Sequence, residues 1–224
     1  VFDDVLVPHD RVFLKGEWEC AGELARTFVE FHRFTAISYK LPLVDGLVGA
    51  ALLMAYYNGL ERVKHIQEKL SKLVGYAETL RALIRLSALD CTKGALGIAI
   101  PKPLIVNMAK LHFATQYHQM LAYVQDITGG LIATGPSEDD LNSPQTGAFV
   151  RRYLGGRKGV AVEDRLKAIN LVKELTATDF AGYQAVLAIH AEGSIEAEKL
   201  AMVREHDSAR CVALAKQLAG IDPQ

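Results

Sequence analysis

The sequence predicts an all-α fold, an antiparallel helical bundle with a short β-strand remnant at its N-terminus. Three observations carry this. Apolar residues recur every three to four positions over long stretches from Glu19 onward, the helical period. The stretch Leu43 to Tyr57 is apolar on nearly every face, which suits a helix at the centre of a bundle. Alternation of the strand kind is confined to the opening, where Val5-Leu6-Val7 is stopped by Pro8 and resumed by Arg11-Val12-Phe13.

Taken in order, residues 1–16 read as the end of a preceding β-domain, and residues 17–224 as a C-terminal helical bundle domain. The opening has no Met and starts within an element, so the chain reads as the C-terminal part of a larger protein. Glu19 to Phe34 is a first helix, with Leu24, Phe28 and Phe31 at helical spacing. Pro42 then suits the first turn of a second helix, Leu43 to Tyr57, because its missing N–H costs nothing there. Asn58-Gly59 ends it. From Arg62 to Asp90 runs a long amphipathic helix with Val63, Ile66, Leu70, Leu73, Ala77, Leu80, Leu83 and Leu86 on one face. Gly94 and Pro101-Lys102-Pro103 close that section. Leu104 to Ile127 follows, with Met108, Leu111, Ala114, His118, Leu121 and Val124 as its apolar side. Thr128-Gly129-Gly130 ends it abruptly, and a polar loop runs from Gly135 to Pro144. Gln145 to Leu154, Glu163 to Leu175, Phe180 to His190, Glu196 to Glu205 and Ala209 to Leu218 complete the helices.

Composition excludes several classes. Half of the 224 residues are hydrophobic, and 25 basic against 26 acidic residues leave a net charge of −1. No charge excess points to nucleic acid or to an anionic membrane surface. The most apolar run is interrupted by Asp45, Gly46 and Gly49, so no membrane partner is expected. Cys20, Cys91 and Cys211 are distant from one another and odd in number, which suits buried or half-buried thiols in a reducing cytoplasm better than disulfides. There is no GxSxG, Walker loop, HExxH or GxGxxG, and no metal site is expected.

Two constellations carry chemistry. Gln125-Asp126-Ile127-Thr128-Gly129-Gly130 places paired glycines at a helix end, where bare backbone can approach a phosphate closely; an ordinary glycine cap is the alternative. In His32-Arg33-Phe34-Thr35-Ala36-Ile37-Ser38-Tyr39-Lys40 an imidazole and an ammonium stand eight residues apart. His32 suits a base or hydrogen-bond donor, and Lys40 suits an anionic group; a core histidine and a surface lysine are the alternatives. His112, Gln116 and Gln119 share a helical face and read as an exposed stripe. His65 reads as solvated. Arg151-Arg152 and Arg157-Lys158 flank Gly155-Gly156, as a phosphate clasp or a solvated loop.

The run Phe2-Asp3-Asp4-Val5-Leu6-Val7-Pro8, leading into a helical domain, resembles the junction of the β-domain and C-terminal bundle in acyl-CoA dehydrogenase-fold flavoenzymes. His32 to Lys40, His65-Ile66-Gln67-Glu68-Lys69-Leu70, Tyr76-Ala77-Glu78-Thr79-Leu80-Arg81-Ala82, Gly129-Gly130, Leu154-Gly155-Gly156 to Arg165, and His190-Ala191-Glu192-Gly193-Ser194 together resemble the 4-hydroxyphenylacetate 3-hydroxylase family, including its 4-hydroxybutyryl-CoA dehydratase branch.

That resemblance implies an acyl-CoA dehydrogenase-like bundle in a homotetramer. FAD would lie between bundle and β-domain, with Gln125, Thr128, Gly129 and Gly130 meeting the flavin nucleotide of a neighbouring subunit. His32 and Lys40 would be catalytic. In the dehydratase branch, the residue at His32 and a Cys seven positions later bind an iron–sulfur cluster. Tyr39 stands there in this chain, and a phenol replaces a soft thiolate poorly. The dehydratases also use a Glu where Leu187 stands. The resemblance therefore implies the C-terminal domain of a flavin-dependent oxidoreductase like 4-hydroxyphenylacetate 3-monooxygenase, hydroxylating an aromatic ring with reduced FAD and oxygen. A flavin reductase or a separate N-terminal chain would be its partner. The alternatives are a dehydratase/vinylacetyl-CoA isomerase acting on an acyl-CoA, a non-catalytic oligomerisation module, or half of a split enzyme.

Overall fold

The computed structural model describes residues 1–94, 96–191 and 193–221. The opening is exposed throughout, with 3-10 turns at His9–Arg11 and Trp18–Cys20. No strand is formed there among the described residues. The predicted strand–turn–strand is present only as extended chain, because a ladder needs a neighbour's N–H and C=O groups and none lies alongside.

Helix α1 spans Ala21–Tyr57, 37 residues without a break. The sequence suggested two helices meeting at Pro42; the structure joins them and leaves Pro42 inside. Proline here removes one backbone bond to the carbonyl of Ser38. The Ser38 hydroxyl meanwhile donates to the Phe34 carbonyl at 2.7 Å, a back-bond that proline-bearing helices tolerate. Packing overrides the local cost: Ile37, Lys40, Val44, Leu47, Ala51 and Met54 are buried on either side of the proline. By length and composition α1 could also cross a membrane, since a continuous helix restores an eighteen-residue window of mean hydropathy 1.4. Its inner side packs against α2, α3 and α7, as a central bundle helix does.

Helix α2, Lys64–Leu89, runs back antiparallel and buries Ile66, Leu73, Tyr76, Ala77 and Leu80, close to the predicted face. A two-stranded antiparallel hairpin follows, β1 Thr92–Lys93 and β2 Ala99–Ile100, in a stretch that the sequence suggested was irregular. It hands the chain to helix α3, Pro103–Thr128, which has Pro103 in its first turn. The buried side of α3 is Val106, Asn107, Lys110, Phe113, Tyr117, Met120 and Val124. The predicted side was rotated from this: His118 is exposed, and Met108 and Leu111 are only half-buried. A count of hydrophobic residues cannot choose a face that includes Asn107 and Lys110.

Helices α1 and α3 run parallel. Arg33 bonds Asn107 near their starts, and Asn58 bonds the Ile127 carbonyl near their ends. Helix α2 lies antiparallel to both, with Tyr76 donating to the Phe113 carbonyl and Lys69 paired with Asp126. Helices α4 (Leu131–Thr134) and α5 (Glu138–Asn142) were not expected, α5 lying in the stretch read as a polar loop, whereas α6 (Gly147–Tyr153) is the short helix expected over Gln145 to Leu154. The capping box of Ser137 and Asp140 starts α5. Helix α7, Val162–Thr176, packs on α1 and α3. Helices α8 (Asp179–His190) and α9 (Ile195–Glu205) lie against α3, and α10 (Ser208–Leu218) buries none of its residues.

Candidate functional site

The segment His32 to Lys40 presents two faces of α1. Residues seven apart point the same way on a helix. His32 and Tyr39 share the exposed side, where the His32 ring stacks on Phe28 with centroids 5.0 Å apart. Arg33 and Lys40 share the buried side. The proposed pair of His32 and Lys40 is thus not brought together: one faces outward and the other inward. Lys40 is 1% exposed, and its ammonium lies 5.1 Å from the Phe113 ring centroid and 5.7 Å from that of Tyr39. Two aromatic faces hold this buried cation by their quadrupoles.

The buried faces of α1 and α3 also carry a polar cluster that sequence reasoning missed. Lys110 and Glu198 are both 0% exposed, and Arg33 is 7% exposed. Glu198 of α9 stands 3.9 Å from the Lys110 ammonium and 4.0 Å from Arg33 Nε. Arg33 Nη1 donates to Asn107 Oδ1 at 2.6 Å, and Asn107 Nδ2 donates to the Pro103 carbonyl at 3.0 Å. Lys110 donates to the Ala188 carbonyl at 3.3 Å. Burial pulls the Arg33 pKa down, while Glu198 and Glu205 push it back up. Gly193 makes room for Arg33: a Cβ there would sit 2.8 Å from Nη2. The signal in the sequence was a lysine and an arginine in helical phase with core residues, Lys110 with Phe113 and Tyr117, and Arg33 with Ile37.

The second constellation closes α3 as predicted. Gly129 caps the helix at φ +85°, its N–H donating to the Gln125 carbonyl at 2.8 Å. Gly129 and Gly130 are exposed, and a Cβ on either would meet nothing. Their backbone is therefore open to a close-lying group. Gln125 points elsewhere: its amide donates to the Thr176 carbonyl at the end of α7 at 2.9 Å. Thr128 is buried, and its hydroxyl donates to the Val124 carbonyl at 2.8 Å. Of these four residues, the glycines alone present themselves outward. Eighteen residues of α1 separate Lys40 from Asn58, which adjoins this end, so the two constellations lie about 27 Å apart along the bundle.

Elsewhere, His112 is half-buried. It donates from Nε2 to the Tyr76 carbonyl at 3.0 Å and accepts at Nδ1 from Gln116 at 2.8 Å, so both ring nitrogens are engaged. These residues line a groove of about 610 Å³ between α2 and α3, with Lys72, Met120 and Tyr123. His65 is exposed, as expected. Arg151 pairs with Glu163 at 2.8 Å and Arg157 with Glu61, so carboxylates engage two of the four basic residues that were weighed as a phosphate clasp or a solvated loop. The three cysteines are all exposed, where buried or half-buried thiols were expected: Cys20 closes a 3-10 turn, Cys91 lies between α2 and β1, and Cys211 lies on α10. Among the described residues no His, Cys, Asp and Glu cluster could hold a metal ion. The donor set beside His32 does not fit an iron–sulfur cluster, since Tyr39 offers only a phenol there.

The parallel pair α1 and α3, with α2 between their ends and α7 to α9 laid against them, is the arrangement of an acyl-CoA dehydrogenase-like helical bundle. The chain belongs to the 4-hydroxyphenylacetate 3-hydroxylase C-terminal (HpaB) family, whose sequence model matches residues 21–220. A structure of the oxygen-tolerant archaeal 4-hydroxybutyryl-CoA dehydratase from N. maritimus superposes with a TM-score of 0.89 at 34% identity, over 100% of this chain and 45% of that one. The 4-hydroxybutyryl-CoA dehydratase/vinylacetyl-CoA-Δ-isomerase of Clostridium aminobutyricum is 28% identical over 99% of this chain and 47% of its own length. The oxygenase component of 4-hydroxyphenylacetate 3-monooxygenase from Thermus thermophilus is 28% identical over 82% of this chain and 38% of its own. A structure of such an oxygenase component complexed with FAD and 4-hydroxyphenylacetate shares the fold, with a TM-score of 0.87 at 23% identity over 98% of this chain and 47% of that one. The chain spans about half the length of these relatives, or less.

Proposed function

We propose that this chain is the C-terminal helical domain of a flavin-dependent oxidoreductase of the aromatic-hydroxylating kind, with residues 1–16 the end of a preceding β-domain. The observation that carries the choice is Tyr39. It lies one face with His32, where the dehydratase reading needs a thiolate. FAD, when bound and reduced, supplies the electrons and activates oxygen. In this reading Gly129 and Gly130 lie against the flavin nucleotide of a neighbouring subunit in a homotetramer, while His32 and Lys40 serve the reacting end. Such sharing accommodates the distance between the two constellations, which one chain alone does not bridge. Gln125 and Thr128 support the glycine turn through the Thr176 and Val124 carbonyls. The enzyme works in the cytoplasm with a separate flavin reductase.

A dehydratase acting on an acyl-CoA is the second reading. The 34% identity to the archaeal dehydratase over the whole chain favours it; Tyr39 and Leu187 speak against it.

The test is the visible spectrum of the purified chain with and without FAD, with light scattering. An assay with NADH, a flavin reductase and 4-hydroxyphenylacetate follows. A flavin spectrum on a tetramer is the expected outcome, with catechol formation once the preceding domains are supplied, because this chain by itself is expected to be inactive. Broad iron–sulfur absorption with dehydration of 4-hydroxybutyryl-CoA would replace this reading with the second. A colourless oligomer that takes up no FAD would mean that the cofactor site needs the preceding domains, or that the chain is an assembly module only.

A further inference from the structure

The glycine turn at the end of α3 is held from outside by a relay that starts on α7. Arg165, half-buried at the first turn of α7, spends three N–H groups on neutral oxygens. Nε and Nη2 donate to Asn58 Oδ1 at 3.0 and 2.8 Å, and Nη1 donates to the Leu154 carbonyl at 2.9 Å. Two donors on one oxygen fix which way the Asn58 amide faces. Its Nδ2 is thereby turned to the Ile127 carbonyl, 3.3 Å away and two residues before Gly129. A helix end leaves such carbonyls without an intrahelical partner, and Asn58 supplies one.

The loop beneath is shaped for this. A Cβ on Gly156 would stand 2.3 Å from the Tyr57 carbonyl and 2.8–2.9 Å from Arg165 Cδ and Nε, so only glycine lets the loop and the arginine lie so close. The next residue, Arg157, donates its backbone N–H to that same Tyr57 carbonyl at 2.7 Å. The end of α1, the end of α3 and the start of α7 are thus tied at one point.

We propose that Arg165, acting through Asn58, is a positioning residue for the Gly129–Gly130 turn and so sets the affinity of the cofactor edge; the second half of this rests on the flavin reading above. Neither residue touches the cofactor. The relay decides whether the bare glycine backbone is already in place when a ligand arrives, and preorganisation of this kind appears as affinity.

Hydrogen exchange of the full chain without FAD tests the positioning itself. Asn58→Asp keeps the acceptor for Arg165 and loses the N–H that reaches Ile127. A link that merely tied α1 to α7 would not notice it. The expected result is a thermal midpoint near that of the parent. Exchange at the amides of Gly129, Ala133 and Thr134 rises by about tenfold. Arg165→Met is expected to do the same and Arg165→Lys to recover part of the protection, because an ammonium lacks the fork. Unchanged exchange at those amides in Asn58→Asp, or a rise spread evenly along α3, overturns the positioning role. Titration of the same proteins with FAD, followed by flavin fluorescence, tests the consequence. About tenfold weaker binding in Asn58→Asp supports it. Parent-like affinity together with loosened amides overturns the link to the cofactor. If the parent chain takes up no FAD, the link to the cofactor falls for this chain while the exchange result still decides the relay.

Discussion

The ammonium of Lys40 sits 5.1 Å from the centre of the Phe113 ring, inside the bundle and sealed from water. A lysine is rarely held this way unless its charge is matched. Lys40→Met keeps the stem's volume and removes the charge together with its ring contacts. Stability is expected to fall by about 1–3 kcal/mol in urea melts as the partners of the buried cation lose it. Turnover of the full-length enzyme with supplied reduced FAD is expected to fall by at least about a hundredfold. Phe113→Ala instead opens a cavity and costs about 3–5 kcal/mol in the same melts.

Glu198 joins α9 to two cations from two other helices, Arg33 of α1 and Lys110 of α3. Glu198→Gln leaves both without that charge. A loss of about 3 kcal/mol is expected in chemical denaturation. The triple change Glu198→Leu with Lys110→Met and Arg33→Met should recover much of it, because apolar residues of similar size then replace every member of the buried charged group.

Tyr76 and Tyr117 give opposite outcomes for the same chemical change. The Tyr76 hydroxyl donates to the Phe113 carbonyl at 3.0 Å, whereas the Tyr117 hydroxyl is buried with no hydrogen-bond partner among the described residues. Burial pushes the Tyr117 phenol up to about 12. Tyr76→Phe is expected to lower stability by about 1 kcal/mol, and Tyr117→Phe to leave it equal or raise it by about as much. Calorimetric midpoints moving in opposite directions check this; a fall for Tyr117→Phe would contradict it.

Acidification is expected to tighten the contact between the start of α1 and the end of α9. Burial and then the facing Glu205 raise the Glu30 pKa above its ordinary 4.5, with Arg26 and Arg204 partly opposing. The folded pKa is the higher one, so the fold prefers protonated Glu30. That preference is fully present below the unfolded value and is lost as pH rises through the folded one. Glu30→Gln mimics the protonated form. Its thermal midpoint should exceed the parent's at pH 7, and the gap should close as pH falls toward 4.5. A gap independent of pH would contradict this.

The helices were legible where one side of the period was clearly apolar. Ile66, Leu73 and Leu80 of α2 recur at seven-residue spacing and mark a seam, and the structure buries all three. The glycine stop after Thr128 was equally plain, because few residues but glycine accept a φ near +85°. Pro42 misled, since local chemistry opposes a helix that tertiary packing on both sides retains. The polar cluster was hidden for a related reason. Lys110 and Arg33 look like surface charges until Glu198, on a helix 88 positions further along than Lys110, arrives beside them. His32 and Lys40 are both visible in the chain, but the 7-residue repeat that pairs Arg33 with Lys40 also turns His32 away.

The distance between Lys40 and the glycine turn has a genetic consequence. If each site draws its lysine from one subunit and its glycines from another, two defective alleles need not add up to a defective cell. A chain altered at Lys40 and a chain altered at Gly130 would each be dead alone. Expressed together they assemble mixed pairs, and in each pair one site inherits both intact halves. Activity returning on co-expression, and absent when the purified variants are combined without subunit exchange, would be the signature of complementation between subunits.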